Sequence, residues 1–139
     1  MSVDTLFVDS NILVYAHDRS AGEKHTMARQ KLEQLWVRQL PPSLSVQVLQ
    51  EFFVNLVRKK VEHVRAREVV ENYLAWQVID NDKALFLEGF TEQERWQLSF
   101  WDALILAAAR RSGARTLWSE DFSSGQDYGG ILVVNPLCE

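Results

Sequence analysis

Val3-Asp4-Thr5-Leu6-Phe7-Val8 runs straight into Asp9-Ser10-Asn11. The first six residues are rich in β-formers, and polar residues follow without a spacer, the pattern of a buried strand feeding a helix start. Working outward, Ala28, Leu32, Leu35, Trp36 and Leu40 recur at spacings of three and four, so an amphipathic helix is expected from Glu23 to Leu40, stopped by Pro41-Pro42. Leu44-Ser45-Val46 reads as a second strand. Val46, Leu49, Phe53, Leu56 and Val57 then mark a helix ending in Arg58-Lys59-Lys60, whose charges suit the negative end of a helix dipole. A further helix is expected from Arg65 to Trp76, then a strand at Gln77-Val78-Ile79. Asp80 or Asn81 is positioned to cap a helical region reaching Leu98, with Gly89 as a potential break. Trp101 to Arg111 is apolar almost all round and ends at Gly113, as a buried helix does. Thr116-Leu117-Trp118 and Ile131-Leu132-Val133-Val134 complete the strands. This alternation predicts an α/β fold: a three-layer α/β/α sandwich around a mostly parallel sheet of four to five strands, in one domain spanning residues 1–139. Ligands of such sheets gather outside the carboxyl ends of the strands, where strand order reverses.

The chain has 139 residues, 47% of them hydrophobic and 24% charged, the balance of a globular protein rather than a disordered one. Cys138 is the single cysteine, which excludes an internal disulfide framework and a cysteine-based zinc site and fits a reducing, cytoplasmic setting. No basic n-region precedes Asp9, and no run reaches the roughly 18 apolar residues of a membrane span, so no membrane association is expected. Fifteen Lys and Arg against nineteen Asp and Glu leave a net charge of −4, which excludes a generic polyanion binder. Contact with a nucleic acid must be local or work through a cation.

Four acids stand out by position. Asp9 follows the first strand directly, although it equally suits the N-cap of the next helix. Glu51 lies among large apolar residues in Leu49-Gln50-Glu51-Phe52-Phe53, where a solvated helix face is the plain alternative. Asp102 completes Ser99-Phe100-Trp101-Asp102, which also matches a capping box. Asp121 sits in Trp118-Ser119-Glu120-Asp121-Phe122, just past the fourth strand, where surface-turn acids are common. Together they carry more weight, because the expected topology returns them to one edge of the sheet. Two carboxylates ~5 Å apart repel by roughly 3 kcal/mol at an effective dielectric of about 20, and four make six such pairs. No basic residue adjoins Asp9, Asp102 or Asp121, and the last lysine is Lys83. A hard divalent cation, Mg²⁺ or Mn²⁺, is the simplest partner for an all-oxygen donor set.

These motifs resemble a known family. Phe7-Val8-Asp9-Ser10-Asn11-Ile12-Leu13-Val14-Tyr15, Leu49-Gln50-Glu51-Phe52, Ser99-Phe100-Trp101-Asp102-Ala103-Leu104-Ile105-Leu106-Ala107-Ala108-Ala109 and Leu117-Trp118-Ser119-Glu120-Asp121-Phe122 are similar to the motifs of PIN-domain ribonucleases. The likeness is strongest to the VapC-type toxins of bacterial toxin–antitoxin pairs and spans the chain, with 42, 51 and 19 positions between successive acids. The resemblance implies a PIN-like fold and a metal-dependent endoribonuclease in which Asp9, Glu51, Asp102 and Asp121 are catalytic and hold Mg²⁺ or Mn²⁺. It further implies supporting roles for Ser10, Asn11 and Ser119. Asp121 rather than Glu120 is expected at the metal, since the family pattern puts the acid immediately before the aromatic. Water activated by the cation would attack an RNA phosphodiester, leaving a 5′-phosphate and a 3′-hydroxyl. The implied partners are an RNA substrate, an antitoxin protein whose tail covers the acidic groove, and a second copy of the chain in a homodimer.

Arg58, Lys59, Lys60, Arg65 and Arg67 form the densest basic stretch, and Arg110, Arg111 and Arg115 a second group. Solvated helix ends explain both, while phosphate contacts, with Arg110 and Arg111 as substrate-binding candidates, would suit an RNA substrate. The five tryptophans read as core or interface residues, with Trp101 and Trp118 near enough to the acids to stack on a base. His17, His25 and His63 lack metal-ligand spacing. A phospho-receiver domain, also Mg²⁺-binding and of similar size, would need a late lysine and a mid-chain phosphoacceptor aspartate that are missing. A haloacid-dehalogenase-like phosphatase would need an acid where Asn11 stands. A PIN-like interaction module without catalysis is the remaining alternative.

Overall fold

The computed structural model describes residues 5–138. Five three-residue strands, β1 (Leu6–Val8), β2 (Ser43–Ser45), β3 (Gln77–Ile79), β4 (Thr116–Trp118) and β5 (Leu132–Val134), form one sheet in the order β3-β2-β1-β4-β5. Every strand pair is parallel, with Phe7 opposite Ser43 and Leu117. The helices are α1 (Ser10–Ala16), α2 (Glu23–Trp36), α3 (Val46–Arg58), α4 (His63–Asn72), α5 (Lys83–Trp96) and α6 (Phe100–Arg111). Helices α1 to α4 sit in the connections that build the sheet outward from β1 through β2 to β3. The α5–α6 pair carries the chain back across to β4. Right-handed crossovers in opposite directions place the two groups on opposite faces of the sheet, as the expected three-layer sandwich requires.

Phe7, Leu44, Leu117 and Val133 are fully buried within the sheet, and Leu106 and Phe52 are fully buried in the helices packed against it. Each such side chain contributes about 2 kcal/mol on leaving water. Helix starts follow local chemistry: Ser45 and Ser99 accept from the backbone N–H groups of Val48 and Asp102, both at 3.2 Å.

Several boundaries differ from those expected. Of the first strand, Val3 and Asp4 lie outside the described residues. Helix α2 stops at Trp36 rather than Leu40, because the apolar face it buries ends at Leu35 while Val37 is 83% exposed and Leu40 45%. The expected Arg65–Trp76 helix starts at His63 and tightens into a 3₁₀ turn at Tyr73–Ala75. Asp82, not Asp80 or Asn81, caps α5, accepting from Leu85 N at 2.8 Å. Gly89 does not break that helix. A Cβ there would stand 2.8 Å from the Leu104 side chain, so the glycine allows α5 and α6 to approach closely.

Candidate metal centre

Strand order reverses between β1 and β4: the connection leaving β1 goes to one side and that leaving β4 to the other. Asp9 and the Ser119–Asp121 turn lie at the carboxyl ends of these two strands, joined by a 2.9 Å bond from Asp9 N to Trp118 O. Asp9 caps α1, its Oδ1 accepting from Ser10 N at 2.7 Å, while its Oδ2 accepts from the Ser119 hydroxyl at 2.7 Å. The cap reading and the site reading therefore describe one residue. Ser119 Oγ also accepts from Asp121 N at 3.0 Å, so a single buried hydroxyl positions both acids.

Glu51 reaches the same place from the second turn of α3. Ser10 Oγ donates to its Oε1 at 2.8 Å, and Gln47 Nε2 donates to its Oε2 at 3.2 Å. Gln47, 6% exposed, also donates to Trp101 O at 3.2 Å, tying α3 to the first turn of α6, where Asp102 sits. Sequence reasoning missed Gln47. The available signal was a polar residue one helical turn before Glu51 in an otherwise apolar stretch.

The electrostatics link all four acids. Asp9 is 2% exposed, and its carboxyl is pushed up to about 7, chiefly by burial, with the charges of Asp121 and Glu51 adding to the rise against hydrogen bonds from Ser119 and Ser10. Burial also raises the Asp102 carboxyl above its ordinary value, opposed by Ser99 and reinforced by Asp121 and Glu51. None of the ion pairs among the described residues involves any of the four. The sequence led us to expect one tight cup of carboxylates. The structure is looser, because among the described residues no three Asp, Glu, His or Cys side chains converge as a formed metal-holding group. Asp9 is locked inward by its two serines while Asp121 is exposed, so the acids share an edge without closing a shell. The donor chemistry fits a hard divalent cation: all-oxygen ligands, one of them buried, with no internal cation to balance them.

Neighbouring side chains sort themselves by their partners. Glu120 turns away from Asp9, accepting from Tyr15 OH at 2.8 Å and pairing with Lys24 at 2.7 Å. Burial opposes its charge, but those hydrogen bonds outweigh it and hold the carboxyl below its usual value. Asn11 Oδ1 accepts from Glu120 N at 3.2 Å and orders the turn, while its buried Nδ2 has no partner among the described residues. The substrate-binding expectation for Arg110 and Arg111 finds no support in their surroundings. Arg110 bonds Glu92 at 2.8 and 3.2 Å and the carbonyls of Tyr128 and Gly129, and Arg111 bonds Asp82 and Glu88, each at 3.0 Å. Both stand at the C-terminal turn of α6, about 12 Å along the helix from Asp102 at its start.

A parallel sheet with an acidic carboxyl edge at its switch point places the chain among the open α/β proteins. The PIN domain model matches residues 6–123, and the chain belongs to the PIN domain family. Among solved structures, the chain is similar to the VapC20 toxin of Mycobacterium tuberculosis, described as cleaving the sarcin–ricin loop, with a TM-score of 0.68 and 20% identity over 84% of this chain and 90% of that one. It is similar to a toxin–antitoxin complex from Klebsiella pneumoniae, with a TM-score of 0.67 and 24% identity over 96% and 98% of the two chains. VapBC2 of Rickettsia felis, bound to a DNA fragment from its promoter, gives a TM-score of 0.64 and 18% identity over 93% and 96%. At these identities the likeness establishes the fold. No curated protein matches the chain at a significant level. No described helix is long and apolar enough to cross a membrane.

Proposed function

We propose that this chain is a divalent-metal-dependent endoribonuclease, the toxin of a toxin–antitoxin pair acting in the cytoplasm. The observation that carries the reading is Asp9: a carboxylate buried at the switch point, held by two serines, raised further by the charges of Glu51 and Asp121, and paired with no cation among the described residues. Asp9, Glu51, Asp102 and Asp121 would hold Mg²⁺ or Mn²⁺, which supplies activation of water and charge stabilisation at the phosphate. Ser10 fixes Glu51 relative to Asp9, and Ser119 fixes the Asp121 turn relative to Asp9, so these three acids are held relative to one another. Gln47 orients Glu51 and anchors the start of α6. A carboxylate at the open side of this edge would accept the proton of the attacking water while the bond from phosphorus to the 3′ oxygen breaks, and that oxygen would take a proton from solvent, leaving a 5′-phosphate and a 3′-hydroxyl.

The solved relatives that are toxin–antitoxin complexes support a small protein antitoxin as partner. An exposed aromatic patch supports a homodimer: Phe86, Phe90, Phe100 and Trp101 touch ring to ring, with Phe86 44%, Phe90 46% and Trp101 63% exposed. The test is to incubate RNA with the protein and Mg²⁺ and sequence the 5′-phosphate ends made by wild type, Asp9→Asn and Asp102→Asn. We expect each variant to lose at least about 100-fold in cleavage while staying folded. Full activity in either variant, or in excess EDTA, sinks the mechanism. Growth arrest on expression, relieved by a co-expressed upstream gene, is expected of a toxin. The unconverged carboxylates favour one second reading, a non-catalytic PIN interaction module, which predicts no 5′-phosphate ends from wild type.

A further inference from the structure

We infer that Arg58 forms a phosphate subsite for the RNA strand, in a groove that the acids also line. The inference rests on the nuclease reading above and adds where the strand runs. A groove of about 670 Å³ is lined by Ser10, Glu51 and Asp121 and also by Asn11, Asn55 and Arg58. Glu51, Val54, Asn55 and Arg58 share one face of α3 because their spacings are three and four. Arg58 lies seven positions along the helix from Glu51, about 10 Å, so a strand with one phosphate at the acids has a neighbouring phosphate within reach of the guanidinium.

The polarity of the groove suits this substrate. Its acids need a cation to accept a phosphate, whereas Arg58 accepts one directly. Arg58 is exposed and has no hydrogen-bond or ion-pair partner among the described residues. Its neighbour Lys59 is already committed, 2.9 Å from Asp18 Oδ2. A helix-capping role does not account for Arg58, because the closing carbonyls of α3 at Asn55, Leu56 and Val57 accept from backbone N–H groups of Lys59, Lys60 and Val61. Arginine offers a planar fork that grips phosphate through two parallel hydrogen bonds.

The test measures binding of a short labelled single-stranded RNA by anisotropy, in Mg²⁺, with every protein carrying Asp102→Asn to stop cleavage. Adding Arg58→Gln should weaken binding about tenfold at low salt and reduce the slope of log affinity against log salt by about 0.7. Arg58→Lys should restore the slope but only part of the affinity, since an ammonium keeps the charge and loses the fork. Arg19→Gln makes the same charge change outside this groove and should leave affinity and slope unaltered. An Arg58→Gln curve that overlays its parent, or equal losses from Arg58→Gln and Arg19→Gln, overturns the subsite while leaving the nuclease reading intact. A parent protein that binds no RNA overturns both. Arg58 is on the surface, so unchanged melting of its variants separates lost binding from lost folding.

Discussion

The carboxyl edge of the sheet and the α5–α6 pair both gather acids, and they treat them in opposite ways. On α5, Glu92 is 5% exposed and is met by the Arg110 guanidinium, while Asp82 and Glu88 are both met by Arg111. At the edge, Asp9 is as deeply buried but among the described residues is met by serine hydroxyls and a backbone N–H alone. Removing a carboxylate from water costs several kcal/mol unless a partner compensates. The α5–α6 acids find that partner within the chain, so their pairing is explained by structure alone. At the edge no such pairing forms among the described residues, and burial raises Asp9 and Asp102, the imbalance that on the proposed reading an ion from outside would relieve. A buried acid is informative about function when its partner is missing.

Arg110→Ala breaks the compensated side of this contrast. It should lower unfolding free energy by about 3 kcal/mol, toward the lower end for a buried pair because the guanidinium is partly exposed, while cleavage per folded molecule stays unchanged. Urea unfolding checks the first part, and an unaltered midpoint would show that Glu92 does not depend on its arginine. The uncompensated side should respond to ions instead. At a free Mn²⁺ concentration 100-fold above its Kd, the wild type should gain about 2.7 kcal/mol, seen as a higher Tm. Arg110→Ala should gain as much and Asp9→Asn little. Equal gains in wild type and Asp9→Asn would place the ion elsewhere.

A third region sharpens the comparison with the sign reversed. His17, Arg19, His25, Arg29 and Arg65 line a cavity of about 520 Å³ together with Glu33, and His17 Nε2 lies 2.8 Å from the Tyr73 hydroxyl. Burial first, then the charges of Arg29, His25 and Arg65, pull the His17 imidazole down to about 4. The folded state thus favours neutral His17, and stability should be full above about pH 6.5 and fall as pH drops from there to about 4. Solvent at the exposed ring edge limits the loss to about 1 kcal/mol. Thermal melts of His17→Gln should lack this component of the acid slope, and an identical slope in both proteins would remove His17 from the account.

Much of the fold was legible because its signals are local. The abrupt change at Val8-Asp9, the apolar run from Ala103 to Ala109 and the capping box at Ser99 each specify an element within a few residues. What failed was decided at a distance. Gly89 reads as a helix breaker until Leu104 is seen to need its missing side chain. Leu40 reads as part of a helix face until the chain is seen to turn away after Trp36. At the site, the four acids could be picked out by their positions after strands and at helix starts, whereas Gln47 carried no distinctive pattern of its own. Arg110 and Arg111 looked available because their partners, Glu92, Asp82 and Glu88, lie on the preceding helix rather than beside them.

Alternation of short apolar runs with amphipathic ones suffices, by itself, for a parallel α/β sheet, because periodicity and capping act over one or two turns. It also suffices to carry Asp9 and Asp121 to the ends of strands. Only tertiary structure decided which charges cancel, since Coulomb interaction and desolvation depend on distance through space and on what shields a group from water. That is why Glu92 turned out to be neutralised, Glu120 turned toward Lys24, and Asp9 stayed buried with no cation beside it among the described residues.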